Sequence, residues 1–328
     1  MYYEEPYRKK QKRARRPRRS FGGWLLALLL RLVALVLTVL LLGGALLYFL
    51  PVSLFAVEPE GVELSLTDGL PSDRANILLL GLDARSENTR RSDSVIIASI
   101  GPGKLKLTSV LRDAVVNIPG HGADKLNAAY AHGGPELVMR TLNEALRLNI
   151  LHYVAVDYTA LIRVVDALGG VELDITEAER DKINSSINGR RARMEALGYR
   201  APDLTQYGEN THLNGLQALS YARIRKLDSD FVRASRQRAL LEALLERLRA
   251  SLWNPVRMTR LAKAILGSVD TNMSLLQMIS LGEKVLAAGP PDQLRLPVDG
   301  TYNDDGSALK ITDMQMNVGA FQTFVYDD

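Results

Sequence analysis

Three short runs pair a carboxylate with a guanidinium at the edges of apolar stretches: Asp83-Ala-Arg85, Arg91-Ser-Asp93 and Arg112-Asp113. Two aspartates this close in sequence, Asp83 and Asp93, can share one divalent cation. The chain has no cysteine and 4 histidines, so that ion would be a hard, oxygen-preferring one, Mg2+ or Mn2+. Several arginines gathered around it would repel one another unless an anion neutralised them, and the guanidinium fork suits phosphate oxygens. Two further pairs extend the set. Arg223 and Arg225 share a side only if their segment is extended. Arg233 and Gln237 are four apart and share a face at the start of a long helix, whose N-terminal dipole also favours an anion. Arg236, one position off that face, reads as a surface charge. The histidines (His121, His132, His152, His212) are widely separated and read as packing or surface residues rather than zinc ligands.

These side chains need a scaffold, and the apolar patterning supplies one. Asn76-Ile-Leu-Leu-Leu-Gly81, Ser94-Val-Ile-Ile-Ala-Ser-Ile100 and Leu105-Lys-Leu-Thr-Ser-Val-Leu111 read as strands, the first as a buried one closed by glycine. Pro135–Leu148 reads as a helix with Pro near its first position and an apolar stripe from Leu137 to Leu146. Tyr153–Val156 is a short strand, Thr159–Leu168 a helix, and Val171–Ile175 a strand after the Gly169-Gly170 turn. The strongest helical period is Phe231–Leu252, with Leu240, Leu241, Leu244, Leu245, Leu248 and Leu252 on one face. Residues 178–210 are charged and aperiodic and read as a surface excursion, and 294–328 as strand-like. Alternating strands and helices predict a layered α/β/α domain with a central mixed sheet. The Asp and Arg residues then fall just beyond the strand ends, where such sheets bind ligands.

Charge is distributed unevenly. Residues 1–20 carry nine Lys/Arg against Glu4 and Glu5, so the tail holds +7 and the rest of the chain −3 of the net +4. The uncharged stretch Leu32–Leu50, nineteen residues long, follows directly. At about 1.5 Å per residue it nearly spans the roughly 30 Å hydrocarbon core of a bilayer. A cleavable signal peptide would have a shorter apolar region and a small-x-small cleavage site, for which Pro51–Ala56 is a poor match. The expected organisation is a basic cytoplasmic tail (1–20), a transmembrane helix (21–50), an extracellular stalk (51–73), a catalytic domain (74–255) and a C-terminal extension packed on it (256–328). The positive-inside rule leaves residues 51–328 outside a cell membrane crossed once. The basic tail lacks a helix-turn-helix pattern, which argues against nucleic acid as a partner. A phosphate-binding site outside a membrane points to a pyrophosphate or phosphodiester on a lipid carrier.

The runs Asn76–Arg85, Arg91–Ser94, Val110–Asp113, Lys125–Gly134, His152–Tyr158, Val165–Val171, Leu213–Arg225 and Asp228–Gln237 together resemble the LytR-CpsA-Psr (LCP) family, in order over about residues 74–250. The resemblance implies an outward-facing phosphotransferase that moves an anionic glycopolymer, such as wall teichoic acid or capsule polysaccharide, from a polyprenyl-pyrophosphate carrier to the muramic acid 6-hydroxyl of peptidoglycan. By that likeness Asp83 and Asp93 organise Mg2+, while Arg85, Arg91, Arg112, Lys125, Arg223, Arg225, Arg233 and Gln237 hold the phosphates. Asp113 orients Arg112. The family also implies an apolar tunnel for the prenyl tail, so some Leu and Val that read as core could line it. The chain departs from the family in one place: Leu111 stands where a proline usually precedes the Arg-Asp pair, and the loss could loosen the turn that aims Arg112. Two rival readings use the same residues, a lipid pyrophosphatase with water as acceptor and a non-catalytic sensor of lipid-linked polymer.

Overall fold

The computed structural model describes residues 62–83, 91–224, 230–266 and 268–327. The basic tail, the expected membrane helix, residues 51–61 of the stalk, Arg85 and Arg225 lie outside these. Among the described residues no helix is long and apolar enough to cross a membrane.

Twelve strands and nine helices follow in the described chain: β1 (Ala75–Leu82), β2 (Ser92–Gly101), β3 (Lys104–Val110), β4 (Ala114–Ile118), β5 (Gly122–Lys125), α1 (Leu126–Leu146), β6 (His152–Asp157), α2 (Tyr158–Ala167), β7 (Val171–Ile175), α3 (Glu177–Asn188), α4 (Arg191–Ala196), β8 (Gly208–Leu213), α5 (Gly215–Ala222), α6 (Asp230–Ser251), α7 (Pro255–Leu266), β9 (Val269–Thr271), α8 (Leu275–Ala287), β10 (Asp292–Leu296), β11 (Tyr302–Asp304), β12 (Leu309–Ile311) and α9 (Met314–Tyr326). Six strands form the central mixed sheet, in the order β10-β3-β2-β1-β6-β9. β1, β2 and β3 are antiparallel neighbours, whereas β6 runs parallel to β1 and β10 parallel to β3. Residues beyond 256 therefore contribute both edge strands, and β12 also pairs with β4 in a second, four-stranded sheet.

The sheet is covered on both faces. On one, Leu78, Leu80, Val95 and Ile97 pack against Val138, Met139 and Leu142 of α1 and Phe321 of α9. On the other, Ile77, Ile96, Ala98 and Leu107 face Leu241 and Leu245 of α6 and Leu281 of α8. Alternation along each strand sends successive side chains to opposite layers.

Three expectations need correction. The helix expected from Pro135 begins at Leu126: Gly133 and Gly134 leave helical geometry, Gly134 at φ 65°, and Pro135 opens the second half. The periodic signal of the first half was short, and the glycines masked its continuity. Residues 178–210 are no mere surface excursion. Thr176 and Glu179 form a reciprocal capping box that starts α3, whose Ile183 and Ile187, four apart, are buried with Met194 of α4. A stripe of two isoleucines on a charged helix carries little periodicity. The chain after 312 is helical, not strand-like: Asp313 caps α9, and Phe321 and Val325 are fully buried.

Candidate active site

Strand register brings the acidic and basic residues together. At the end of β1 the pairing with β2 shifts by one residue after Gly81, and the Asp83 N–H then donates to the Arg91 carbonyl at 3.1 Å. Gly81 lets the strands approach closely here, since a Cβ would lie 3.0 Å from Cβ of Ser94. β2 pairs with β3 so that Ile96 faces Ser109. Continued three residues further, the same register sets Asp93 opposite Arg112. Their side chains meet as expected, with Arg112 Nη1 2.5 Å from Asp93 Oδ1. In the parallel pair Leu82 faces Asp157, so Asp83 and Tyr158 leave their strands side by side.

Arg112 is held from two sides. Its Nε donates to Asp113 Oδ2 at 3.1 Å, and Lys125 Nζ lies 3.6 Å from the other Asp113 oxygen. The Arg112 carbonyl accepts from the N–H of Asn127 in the first turn of α1. Leu111, which stands where the resemblance expects a proline, has its own anchors. Its N–H donates to the Leu296 carbonyl at 2.9 Å, a bond that proline could not make, and its side chain is buried against Ala234 and Leu309.

Tyr158 is the residue that the sequence reading passed over as a site component. Its hydroxyl donates to Asp93 Oδ2 at 2.8 Å, and the Arg223 guanidinium stacks 3.8 Å from its ring centroid. Burial, the Asp93 carboxylate and Asp83 all push the phenol far above its ordinary pKa, against the opposing effect of Arg223, so it remains a neutral donor. The available signal was its position. Asp157 caps α2 by accepting from the Ala160 N–H at 2.8 Å, which places the next residue at the carboxyl end of β6 beside that of β1.

The site opens into an apolar cavity of about 520 Å³. Asp93, Tyr158, Arg223, Arg233 and Gln237 line it together with Ile96, Ala98, Leu107, Leu245 and Leu281. The lining follows β2 from Ser94 to Ile100, which at about 3.3 Å per residue is roughly 20 Å of strand. A cavity polar at the strand ends and apolar along the sheet suits an amphiphile with a charged head.

The structure therefore brings together Asp83, Asp93, Arg112, Lys125 and Arg223 around Tyr158 and Asp113, with Arg233 and Gln237 on the cavity wall. Arg91 contributes its backbone carbonyl, and its side chain is exposed. Arg236 is not a surface charge: it is buried and its Nε donates to Glu179 Oε1 at 2.7 Å, tying α6 to α3. Among the described residues no group of three or more His, Cys, Asp and Glu could hold a metal ion. The donor set still fits Mg2+, which commonly takes one or two carboxylates and completes its shell with water and substrate phosphates. Asp93 lines the head of the cavity and Asp83 follows the neighbouring end of β1, so the carboxylates such an ion would use stand at adjacent strand ends.

The sequence profile of the LytR_cpsA_psr family matches residues 57–320. Regulatory protein MsrR of Staphylococcus aureus (strain COL) is 30% identical over 267 residues, which cover 78% of this chain and 75% of MsrR. The polyisoprenyl-teichoic acid–peptidoglycan teichoic acid transferase TagU of Bacillus mycoides is 32% identical over 241 residues, 72% of each chain. Among solved structures, TagT bound to LIIa-WTA superposes with a TM-score of 0.63 at 27% identity, covering 82% of this chain and 99% of that one. TagT with bound octaprenyl pyrophosphate lipid superposes at 0.58 and 25% identity over the same shares. By its family profile, its relatives and its fold, the chain belongs to the LytR_cpsA_psr family.

Proposed function

We propose that this protein is a Mg2+-dependent phosphotransferase that moves an anionic glycopolymer from a polyprenyl-pyrophosphate carrier to the muramic acid 6-hydroxyl of peptidoglycan. One observation carries the reading: a 520 Å³ apolar cavity ends in a cluster of Asp, Arg and Tyr side chains. An isoprenoid pyrophosphate has that same division between apolar tail and charged head. The relatives' names agree, since TagU is a transferase and TagT has been solved with octaprenyl pyrophosphate. The segment 21–50 would anchor the domain on the outer face of the membrane.

In this mechanism the sugar hydroxyl attacks the polymer-side phosphorus. A new P–O bond forms to the sugar, the bond to the carrier phosphate breaks, and polyprenyl phosphate leaves with the electron pair and takes up the proton that the sugar hydroxyl gives up. Arg112 and Arg223 face the charge that develops on the phosphate oxygens, and Arg233 and Gln237 hold the head from the cavity wall. Asp93 and Asp113 fix Arg112 before substrate arrives, so little reorganisation remains at the moment of reaction. Asp83 and Asp93 would hold Mg2+, which supplies further charge neutralisation on the pyrophosphate. Tyr158 keeps Asp93 oriented and its own proton in place.

The test is turnover of a synthetic polyprenyl-pyrophosphoryl sugar by the full chain in detergent, with Mg2+ and peptidoglycan oligomers. Wild type should transfer glycan. Asp93→Ala and Arg112→Ala should each lose about 10²–10³ in rate, the usual cost of one preorganised electrostatic group. Sugar phosphate released without transfer would replace the ligase by a hydrolase. MsrR carries the name of a regulatory protein, and tight lipid binding with no turnover would replace the transferase by a non-catalytic sensor.

A further inference from the structure

The chain between Arg249 and Val269 contains Arg249, Arg257, Arg260 and Lys263 and no Asp or Glu. This stretch forms the end of α6, a short turn and α7, and it is unusual in what it leaves exposed. Trp253 is 95% exposed and Leu266 73%, with Val256 also open to solvent. At the start of α8, Leu275 and Leu276 are about 60% exposed. Arg249 joins the two segments, since its guanidinium donates to the carbonyls of Val285, Leu286 and Ala288 at the end of α8.

The inward sides of these helices are equally apolar but serve another purpose. Leu261 and Ile265 of α7 and Met278 and Leu281 of α8 line the cavity. The two helices thus present apolar side chains both to the cavity and to the outside, with the exposed Arg260 and Lys263 among them on α7 and the half-buried Arg257 beside Gly169. A tryptophan, scattered leucines and a purely basic polar face are the composition of a helix that lies in a membrane interface. A neutral protein partner would satisfy the apolar surface alone, and an acidic one the surface and the charge but not the apolar cavity behind them. Continuity with an apolar cavity together with uniform positive charge fits an anionic lipid surface, against which each Lys or Arg adds attraction.

We infer that α7, the turn carrying Trp253 and the start of α8 rest on the anionic surface of the bilayer and set the cavity against its lipids. The placement serves the lipid-carrier reading above, but its test measures position and not turnover, so either can fail alone. The chain contains 2 tryptophans, Trp24 and Trp253. In a Trp24→Phe background the full chain is reconstituted into phosphatidylglycerol-containing vesicles and the emission of Trp253 recorded. The expected result is a blue shift, shielding from aqueous iodide and quenching by brominated acyl chains. The triple variant Arg257→Gln, Arg260→Gln, Lys263→Gln should lose most of that quenching, and vesicles of phosphatidylcholine alone should show less of it. Iodide quenching unchanged by vesicles, with no effect of brominated lipid, overturns the inference. Shielding from iodide that grows with protein concentration and is untouched by brominated lipid also overturns it, and assigns the surface to a second copy of the chain.

Discussion

The two faces of the central sheet are made of the same residue types and end in opposite ways. Leu78, Leu80, Val95 and Ile97 meet α1 and α9, whose Met139, Leu142, Phe321 and Val325 are buried against them, with a cavity of only about 10 Å³ beside Leu142. Their immediate neighbours Ile77, Leu79, Ile96 and Ala98 look across a 520 Å³ void toward α6 and α8. One face spends its apolar surface on stability. The other is buried as well but keeps a cavity beside it, and an apolar ligand that fills it adds stability, because a ligand that binds only the folded state stabilises it.

The largest way to test this contrast is to open the filled face. Phe321→Ala removes a fully buried ring and should cost about 3–5 kcal/mol in urea unfolding. A cost below about 1 kcal/mol would mean that this face is not tightly packed. The next test adds volume to each face. Ala129→Phe, in the packed layer with α1, should cost about 1–3 kcal/mol by overpacking. Ala98→Phe, on the cavity wall, should change stability by less than about 0.5 kcal/mol while lowering the affinity for polyprenyl pyrophosphate. Equal costs at the two sites would erase the distinction.

A further contrast lies between two arginines three residues apart on α6. Arg233 faces the cavity, whereas Arg236 is paired with Glu179 in the packed region. Burial pushes the Glu179 carboxyl up, but hydrogen bonds from the Thr176 backbone, Arg236 and the Thr176 hydroxyl outweigh it and hold the pKa below its ordinary value of 4.5. A lowered carboxylate contributes stability above its unfolded pKa and loses it as the pH falls through the folded one. Glu179→Gln should therefore cost about 1–2 kcal/mol at pH 7, and the cost should shrink below about pH 4.5. A cost independent of pH would show that the pair acts by shape alone.

Much of this was legible before any coordinates. The apolar runs at 76–81, 94–100 and 105–111 and the period of 231–252 were strong enough to locate β1–β3 and α6 within a residue or two. Asp83, Asp93 and Arg112 stood out because they broke the pattern just beyond those strands. What escaped notice was weaker by nature. The first half of α1 is cut off by two glycines, α3 shows only two buried isoleucines on a charged surface, and α9 lies in a Gly-punctuated stretch that hid its buried Phe321. Tyr158 was one aromatic among 12 tyrosines. Its role depends on the parallel pairing of β1 with β6, which is made between residues about seventy apart.

The sequence by itself determined which segments alternate and which ends carry charge, because apolar periodicity is a local property, whereas the meeting of Asp93 with Arg112 came from the pairing of β2 with β3. Only the tertiary structure decided which apolar face is filled and which is hollow. Burial depends on how far away the covering helix sits, and that distance is set by side chains from segments remote in sequence, to which the periodicity of a single strand is blind.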